Sequence, residues 1–130
     1  RIADTISAGD HGTTYGGNLL ACRAALTFLD VLGSGLQESM MRSSRRLFDG
    51  GNSSAARRAD VVSEVRGAGL IAGLDMKSDS TPIVKAALDR GLLINRTSGT
   101  VIRLLPPYII TEHDVDEALS IIDAAIAATT

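Results

Sequence analysis

The chain has 130 residues, a formal net charge of −2, 45% hydrophobic residues and only 3% aromatic ones. Its length fits one domain, or part of a larger one, able to bury roughly two-thirds of its unfolded surface. The mild acidity excludes the electrostatic footprint of a nucleic-acid binder, and the scarcity of aromatics excludes a base-stacking surface.

The chain opens Arg1-Ile2-Ala3-Asp4 without a methionine, which reads as a trimmed or proteolysed piece of something longer. It has no basic segment followed by an apolar one at its start, as a secretory signal would have. No unbroken run approaches the 18 or more apolar residues of a membrane span, so neither nucleic acid nor membrane is an expected partner. The first motif is His11-Gly12-Thr13-Thr14-Tyr15-Gly16-Gly17-Asn18, a glycine- and hydroxyl-rich loop that feeds an apolar helix. Helix-mouth amides, closely approaching glycine backbone and adjacent hydroxyls suit a phosphate oxygen. The plainer reading is a loop whose Asn18 caps the helix.

That helix is expected from about Gly17 to Leu32 and is apolar nearly all round, so a covering surface is implied. Cys22 lies within it, reads as a buried inert thiol and has no second cysteine to pair with, which fits a reducing cytoplasm. Gly33-Ser34-Gly35 breaks the run, and a second helix starts near Leu36 with a stripe of Leu36, Met40 and Leu47 flanked by Met41 and Phe48. The pairs Arg45-Arg46 and Arg57-Arg58 read as solvated faces. The stretch Asp49-Gly50-Gly51-Asn52-Ser53-Ser54 reads as a turn-rich linker, which divides the chain into residues 1–50 and 51–130.

Beyond the linker the pattern becomes α+β. Val61, Val62 and Val65 mark a strand and Leu70 to Met76 another, joined across Gly67-Ala68-Gly69. Thr81 is expected to cap a helix that opens on Pro82 and stops at Gly91. Leu92 to Asn95 and Val101 to Leu105 read as two further strands around a Ser98-Gly99 turn, with Pro106-Pro107 ending the second. The last helix starts with a capping box, Thr111 and Asp114, and with Ile110 placed to staple Val115.

Several motifs carry no chemistry. Gly67-Ala68-Gly69-Leu70-Ile71-Ala72 fits the dinucleotide fingerprint in letters, but a strand follows where that fingerprint needs a helix. No Gly-Lys-Ser/Thr triplet exists, which excludes a P-loop. His11 and His113 are the only histidines; His113 stands beside Glu112 and Asp114 in the first turn of a helix and reads as solvent-facing, a lone His11 is a poor metal ligand, and no metal is expected. Arg103 stands apart, the one charge in Val101-Ile102-Arg103-Leu104-Leu105. A guanidinium there needs a carboxylate, a phosphate or water. It is either an edge-strand or internally paired arginine, or a clamp for a substrate carboxylate.

Taken together, His11 to Asn18, Leu20-Ala21-Cys22-Arg23-Ala24-Ala25, Glu64-Val65-Arg66-Gly67-Ala68-Gly69-Leu70, and Gly91-Leu92-Leu93-Ile94-Asn95 with Ile102-Arg103-Leu104-Leu105-Pro106-Pro107 resemble the C-terminal part of a class III (ornithine-type) aminotransferase. Within that class the chain looks most like the acetylornithine enzymes. Leu19 departs from the pattern, since members usually have proline after Gly-Gly-Asn.

The resemblance implies a fold-type-I, pyridoxal-phosphate-dependent, homodimeric enzyme of the cytoplasm. Its reaction would move an amino group between acetylornithine and 2-oxoglutarate in arginine synthesis. It assigns Thr14 to the cofactor phosphate of the opposite subunit, Thr13 to substrate and Arg103 to the substrate α-carboxylate. It also implies a missing N-terminal large domain, which holds the pyridine-nitrogen aspartate and the lysine that carries the cofactor. The two lysines present, Lys77 and Lys85, match neither that lysine's position nor its glycine-rich setting.

The expected fold is therefore a small C-terminal α+β domain. It has a three- or four-stranded, mainly antiparallel sheet with helices on one face, preceded by a long apolar helix. The chain by itself is expected to lack transaminase activity. The competing readings are an ornithine, succinylornithine or 4-aminobutyrate enzyme of the same class, and a stand-alone interaction domain without catalysis.

Overall fold

The computed structural model describes residues 2–129. They divide into two compact units, with the division between Gly35 and Leu36. The first unit holds a short 3-10 turn (Ile2–Thr5), the glycine-rich loop and helix α1 (Leu19–Val31). Asn18 caps α1 as its sequence position predicts, its side-chain oxygen accepting from the amides of Leu20 at 3.0 Å and Ala21 at 3.1 Å. No residue of α1 is buried, and Leu19 and Leu20 are 87% and 80% exposed. Cys22 is exposed as well, so the expectation of a buried thiol is corrected.

Helical backbone continues from Leu19 to Arg57, long and apolar enough by length and composition to cross a membrane, which the sequence did not predict. Ser34 (φ −87°, ψ 22°) and Gly35 (φ 109°) leave helical geometry where Gly33-Ser34-Gly35 was expected to break the run. The apolar part, α1, has 13 residues. At 1.5 Å per residue it reaches about 20 Å, short of a hydrocarbon core of about 30 Å.

The second unit is the α+β domain. Helix α2 (Gln37–Arg57) is followed by β1 (Val62–Ala68), β2 (Ile71–Met76), α3 (Thr81–Leu88), β3 (Asn95–Thr97), β4 (Val101–Leu104) and α4 (Glu112–Thr129). The sheet is four-stranded and antiparallel throughout, in the order β1-β2-β4-β3. Ala72, Leu74 and Met76 of β2 and Ile102 and Leu104 of β4 point to one face. There they meet Leu47 of α2, Ile83 and Ala87 of α3, and Val115, Ile122, Ala125 and Ile126 of α4. Strand alternation thus puts every helix of this unit on one side and leaves the other face of the sheet open.

The predicted linker at residues 49–54 is corrected: α2 runs unbroken through it. The buried residues of α2 are Ser43, Leu47, Gly51 and Ser54, a helical face made mostly of small residues instead of apolar ones. A Cβ on Gly50 would overlap the Leu119 side chain of α4, and one on Gly51 would lie 3.4 Å from Val65 of β1. The glycines are contact points and do not form a turn. Polar groups fasten the same face. The Ser43 hydroxyl donates to the Ile110 carbonyl at 2.9 Å, and the Ser54 hydroxyl donates to the Asp123 carboxylate. Arg46 grips Asp116 through two hydrogen bonds of 2.6 and 2.8 Å, and Arg57 reaches Asp123 at 2.5 Å. Two of the four predicted solvent arginines therefore tie α2 to α4, and the Arg46 guanidinium holds the Asp116 carboxyl below its ordinary range.

The hairpin β1–β2 replaces the spurious dinucleotide motif, with Ala68 paired to Ile71 across Gly69-Leu70. At α3 the cap differs by one residue. The helix starts at Thr81 with Ser80 as N-cap, and Asp79 accepts from the Thr81 hydroxyl at 2.9 Å. Gly91 stops the chain beyond α3 in the left-handed region (φ 87°), as expected. The strand expected over residues 92–95 is confined to Asn95–Thr97, because Leu92 donates its amide to Ala87 and follows the end of α3.

The capping box of α4 is present: Asp114 accepts from the Thr111 amide at 2.9 Å, while the Thr111 hydroxyl accepts from the Asp114 amide at 3.2 Å. Thr111→Ala should cost about 1 kcal/mol, read as a fall of roughly 4–8 °C in melting temperature. An unchanged melting temperature would show that the box contributes nothing.

Candidate functional site

The residues singled out by sequence lie in both units. In the first, the loop places the Thr13 and Thr14 hydroxyls in solvent, and neither makes a hydrogen bond with any described residue. A Cβ on Gly16 would overlap the Thr13 methyl, so this glycine allows the loop to fold against Thr13. Gly17 takes a positive φ of 75°, and the Asn18 amide donates to the Tyr15 carbonyl at 3.0 Å.

The helix-mouth amides of Leu20 and Ala21 are already used by Asn18, so the donors open to an anion are the threonine hydroxyls and loop amides. These fit one contact to a phosphate group better than a complete cradle.

In the second unit, Arg103 lies on β4, an interior strand flanked by β2 and β3. It is no edge-strand arginine. Its neighbours Ile102 and Leu104 are buried in the core while its own side chain is exposed on the open face. It makes no hydrogen bond or ion pair with any described residue. Arg66, one strand beyond β2 on the same face, behaves differently. It reaches Asp75 at 2.8 Å and Glu64 at 3.0 Å, and the Thr100 hydroxyl adds a bond of 2.8 Å to Asp75. Those partners raise the Arg66 guanidinium further and hold the Asp75 carboxyl below its usual range. Arg66 is paired locally, whereas Arg103 leaves all its donors open to an external group.

Arg103 also lines a cavity of about 430 Å³ bounded by residues that include Leu47, Leu92, Ile94, Leu104, Pro106 and Val115. Asp114 and Glu117 stand in the same wall, so the positive charge at this mouth is carried by Arg103 alone, and binding of an anion there rests on its guanidinium, unpaired among the described residues. The Lys77 ammonium donates to the Ala59 carbonyl at 2.6 Å, and Lys85 is exposed on α3. Sequence reasoning missed Arg66 and Asp75; their alternation within β1 and β2 was the available signal.

Comparison with known proteins defines the class. A model of the class-III aminotransferase family matches residues 1–126, and the chain belongs to that family. The chain is similar to the mitochondrial acetylornithine aminotransferase of Neurospora crassa, 39% identical over 98% of this chain and 28% of the relative's length. It is similar also to that of Archaeoglobus fulgidus, 41% identical over 92% of this chain and 30% of the relative. An ornithine aminotransferase from Staphylococcus carnosus is 38% identical over 91% of this chain and 29% of the relative.

Among solved structures, the Plasmodium yoelii ornithine aminotransferase superposes with a TM-score of 0.83 at 28% identity, over 99% of this chain and 35% of its own. The Elizabethkingia anophelis acetylornithine aminotransferase gives 0.75 at 32%, over 98% and 33%. The chain thus spans about 30% of the length of the curated relatives it matches. Class III aminotransferases depend on pyridoxal phosphate, and a Toxoplasma gondii ornithine aminotransferase is described with PLP at partial occupancy in its active site.

Proposed function

We propose that this chain is the part of an acetylornithine aminotransferase that supplies the substrate-carboxylate arginine and one cofactor-phosphate contact. The supporting observation is Arg103, a guanidinium without a partner among the described residues on the open face of an interior strand, in a chain of this family. In the complete enzyme the reaction converts acetylornithine and 2-oxoglutarate to N-acetylglutamate semialdehyde and glutamate.

Each residue here has a binding or orienting role. The fork of Arg103 holds the α-carboxylate that both substrates carry and so fixes the reacting carbon. Thr14 donates its hydroxyl to the cofactor phosphate of the opposite subunit of a homodimer, and Thr13 contacts substrate. Pyridoxal phosphate, when bound, supplies the electron sink for moving the amino group. The lysine that carries it would come from outside these residues, since Lys77 and Lys85 are placed elsewhere. The exposed leucines of α1 are covered, in this reading, by the large domain or the partner subunit, and the enzyme works in the cytoplasm.

The similarity to the Staphylococcus carnosus enzyme favours ornithine as the second reading. Assay of the complete enzyme with acetylornithine, ornithine, succinylornithine and 4-aminobutyrate decides between them. The highest kcat/KM is expected with acetylornithine. A preference for ornithine supports the second reading, and no transamination of any donor overturns both.

A further inference from the structure

The open face of the sheet carries one row of side chains that runs across all four strands. In this row Arg66 pairs with Gly73, Gly73 with Arg103, and Arg103 with Asn95. The two ends of the row differ. Arg66 is ion-paired with Glu64 and Asp75, and Gly73 offers no side chain, so nothing on the β2 side competes for the Arg103 guanidinium. A Cβ on Gly73 would lie 3.2 Å from the Val101 side chain, which keeps that position small.

On the other side stands Asn95, exposed on the short edge strand β3, with no side-chain hydrogen bond to any described residue. Directly paired residues of an antiparallel ladder have Cβ atoms about 4.5–5.5 Å apart. A single carboxylate can therefore touch both. Asn95 and Arg103 also line together a second cavity of about 220 Å³, whose other walls are Leu93, Ile94 and Leu105. They are its only polar side chains. A side-chain amide contributes two N–H donors and no charge, complementary to the oxygen that a guanidinium fork leaves partly free.

We infer that Asn95 is a substrate-binding residue, donating its side-chain amide to the same carboxylate that Arg103 holds and so setting the tilt of that group. The inference rests on the reading of Arg103 given above. It concerns binding of both the amino acid and the oxo acid, because each brings an α-carboxylate to the same place.

The test uses the complete enzyme and steady-state kinetics for both substrates. Asn95→Ala is expected to raise KM for each substrate about 5- to 10-fold, with kcat within about twofold, as one neutral hydrogen bond would. Asn95→Asp, which sets a negative charge beside the carboxylate, is expected to raise KM more than Asn95→Ala does. Asn95→Gln should retain part of the binding. Wild-type KM values in both Asn95→Ala and Asn95→Asp, alongside a damaged Arg103→Lys enzyme, would overturn the role of Asn95 alone. Wild-type kinetics in Arg103→Lys would remove the reading on which it rests. A loss of kcat without a change in KM, or a lowered melting temperature that accounts for the whole effect, would also overturn it.

Discussion

Replacing Arg103 by lysine in the complete enzyme is expected to lower kcat/KM about 30-fold or more, chiefly through KM and for both amino and oxo substrates. The charge survives this change, but the planar fork does not. A lysine ammonium offers a point charge on a flexible stem in place of two parallel N–H donors. Hydrogen bonds to charged groups contribute about 1.5–3 kcal/mol, and about 2 kcal/mol corresponds to roughly 30-fold. Stability should hardly change, since the side chain is exposed and has no partner among the described residues. Steady-state kinetics on both half-reactions check this, and unchanged KM and kcat would strip Arg103 of its assignment.

The largest effect on stability is expected at Gly67. Its φ of 143° lies where side chains are rarely accommodated, and a Cβ there would overlap the Ile71 carbonyl oxygen, with the Ala72 Cα 3.0 Å away. Those are backbone atoms of the paired strand, so relief requires the hairpin to open. Gly67→Ala should cost about 3 kcal/mol or more, a fall of roughly 15 °C in the melting temperature of the chain. Gly69→Ala is the informative contrast. Its φ is 60° and nothing lies within 4 Å of an added Cβ, so its cost is about 1 kcal/mol. Equal melting temperatures for the two variants would refute the steric argument.

How much of this was legible in the sequence depended on the force at work. Where hydrophobic alternation or a capping pattern acts locally, the reading was good: β2, the β1–β2 hairpin, α4 with its Thr111–Asp114 box, and the Asn18 cap are present as read. Where tertiary contact overrides local preference, it failed. Gly50-Gly51-Asn52-Ser53-Ser54 has turn composition, yet Leu119 and Val65 need the space that glycine leaves, and the helix continues. The same holds for Arg46 and Arg57, whose carboxylate partners on α4 lie 70 and 66 positions away.

For the site, an arginine among apolar strand residues was visible, and its significance depended on β4 being interior, which only the sheet order reveals. The amides at the mouth of α1 looked available until Asn18 was seen to occupy them. Asn95 gave no signal at all, because its register with Arg103 follows from the Ser98-Gly99 turn and both residues' left-handed φ values of 52° and 80°.

On the proposed function, these residues bring a carboxylate anchor and a phosphate contact but not the lysine that carries the cofactor. The most direct test treats the 130-residue chain with pyridoxal phosphate, reduces with borohydride and assays transamination. No turnover and no stoichiometric phosphopyridoxyl adduct on Lys77 or Lys85 are expected. A single, stoichiometric adduct on either lysine, accompanied by turnover, would contradict the proposed function.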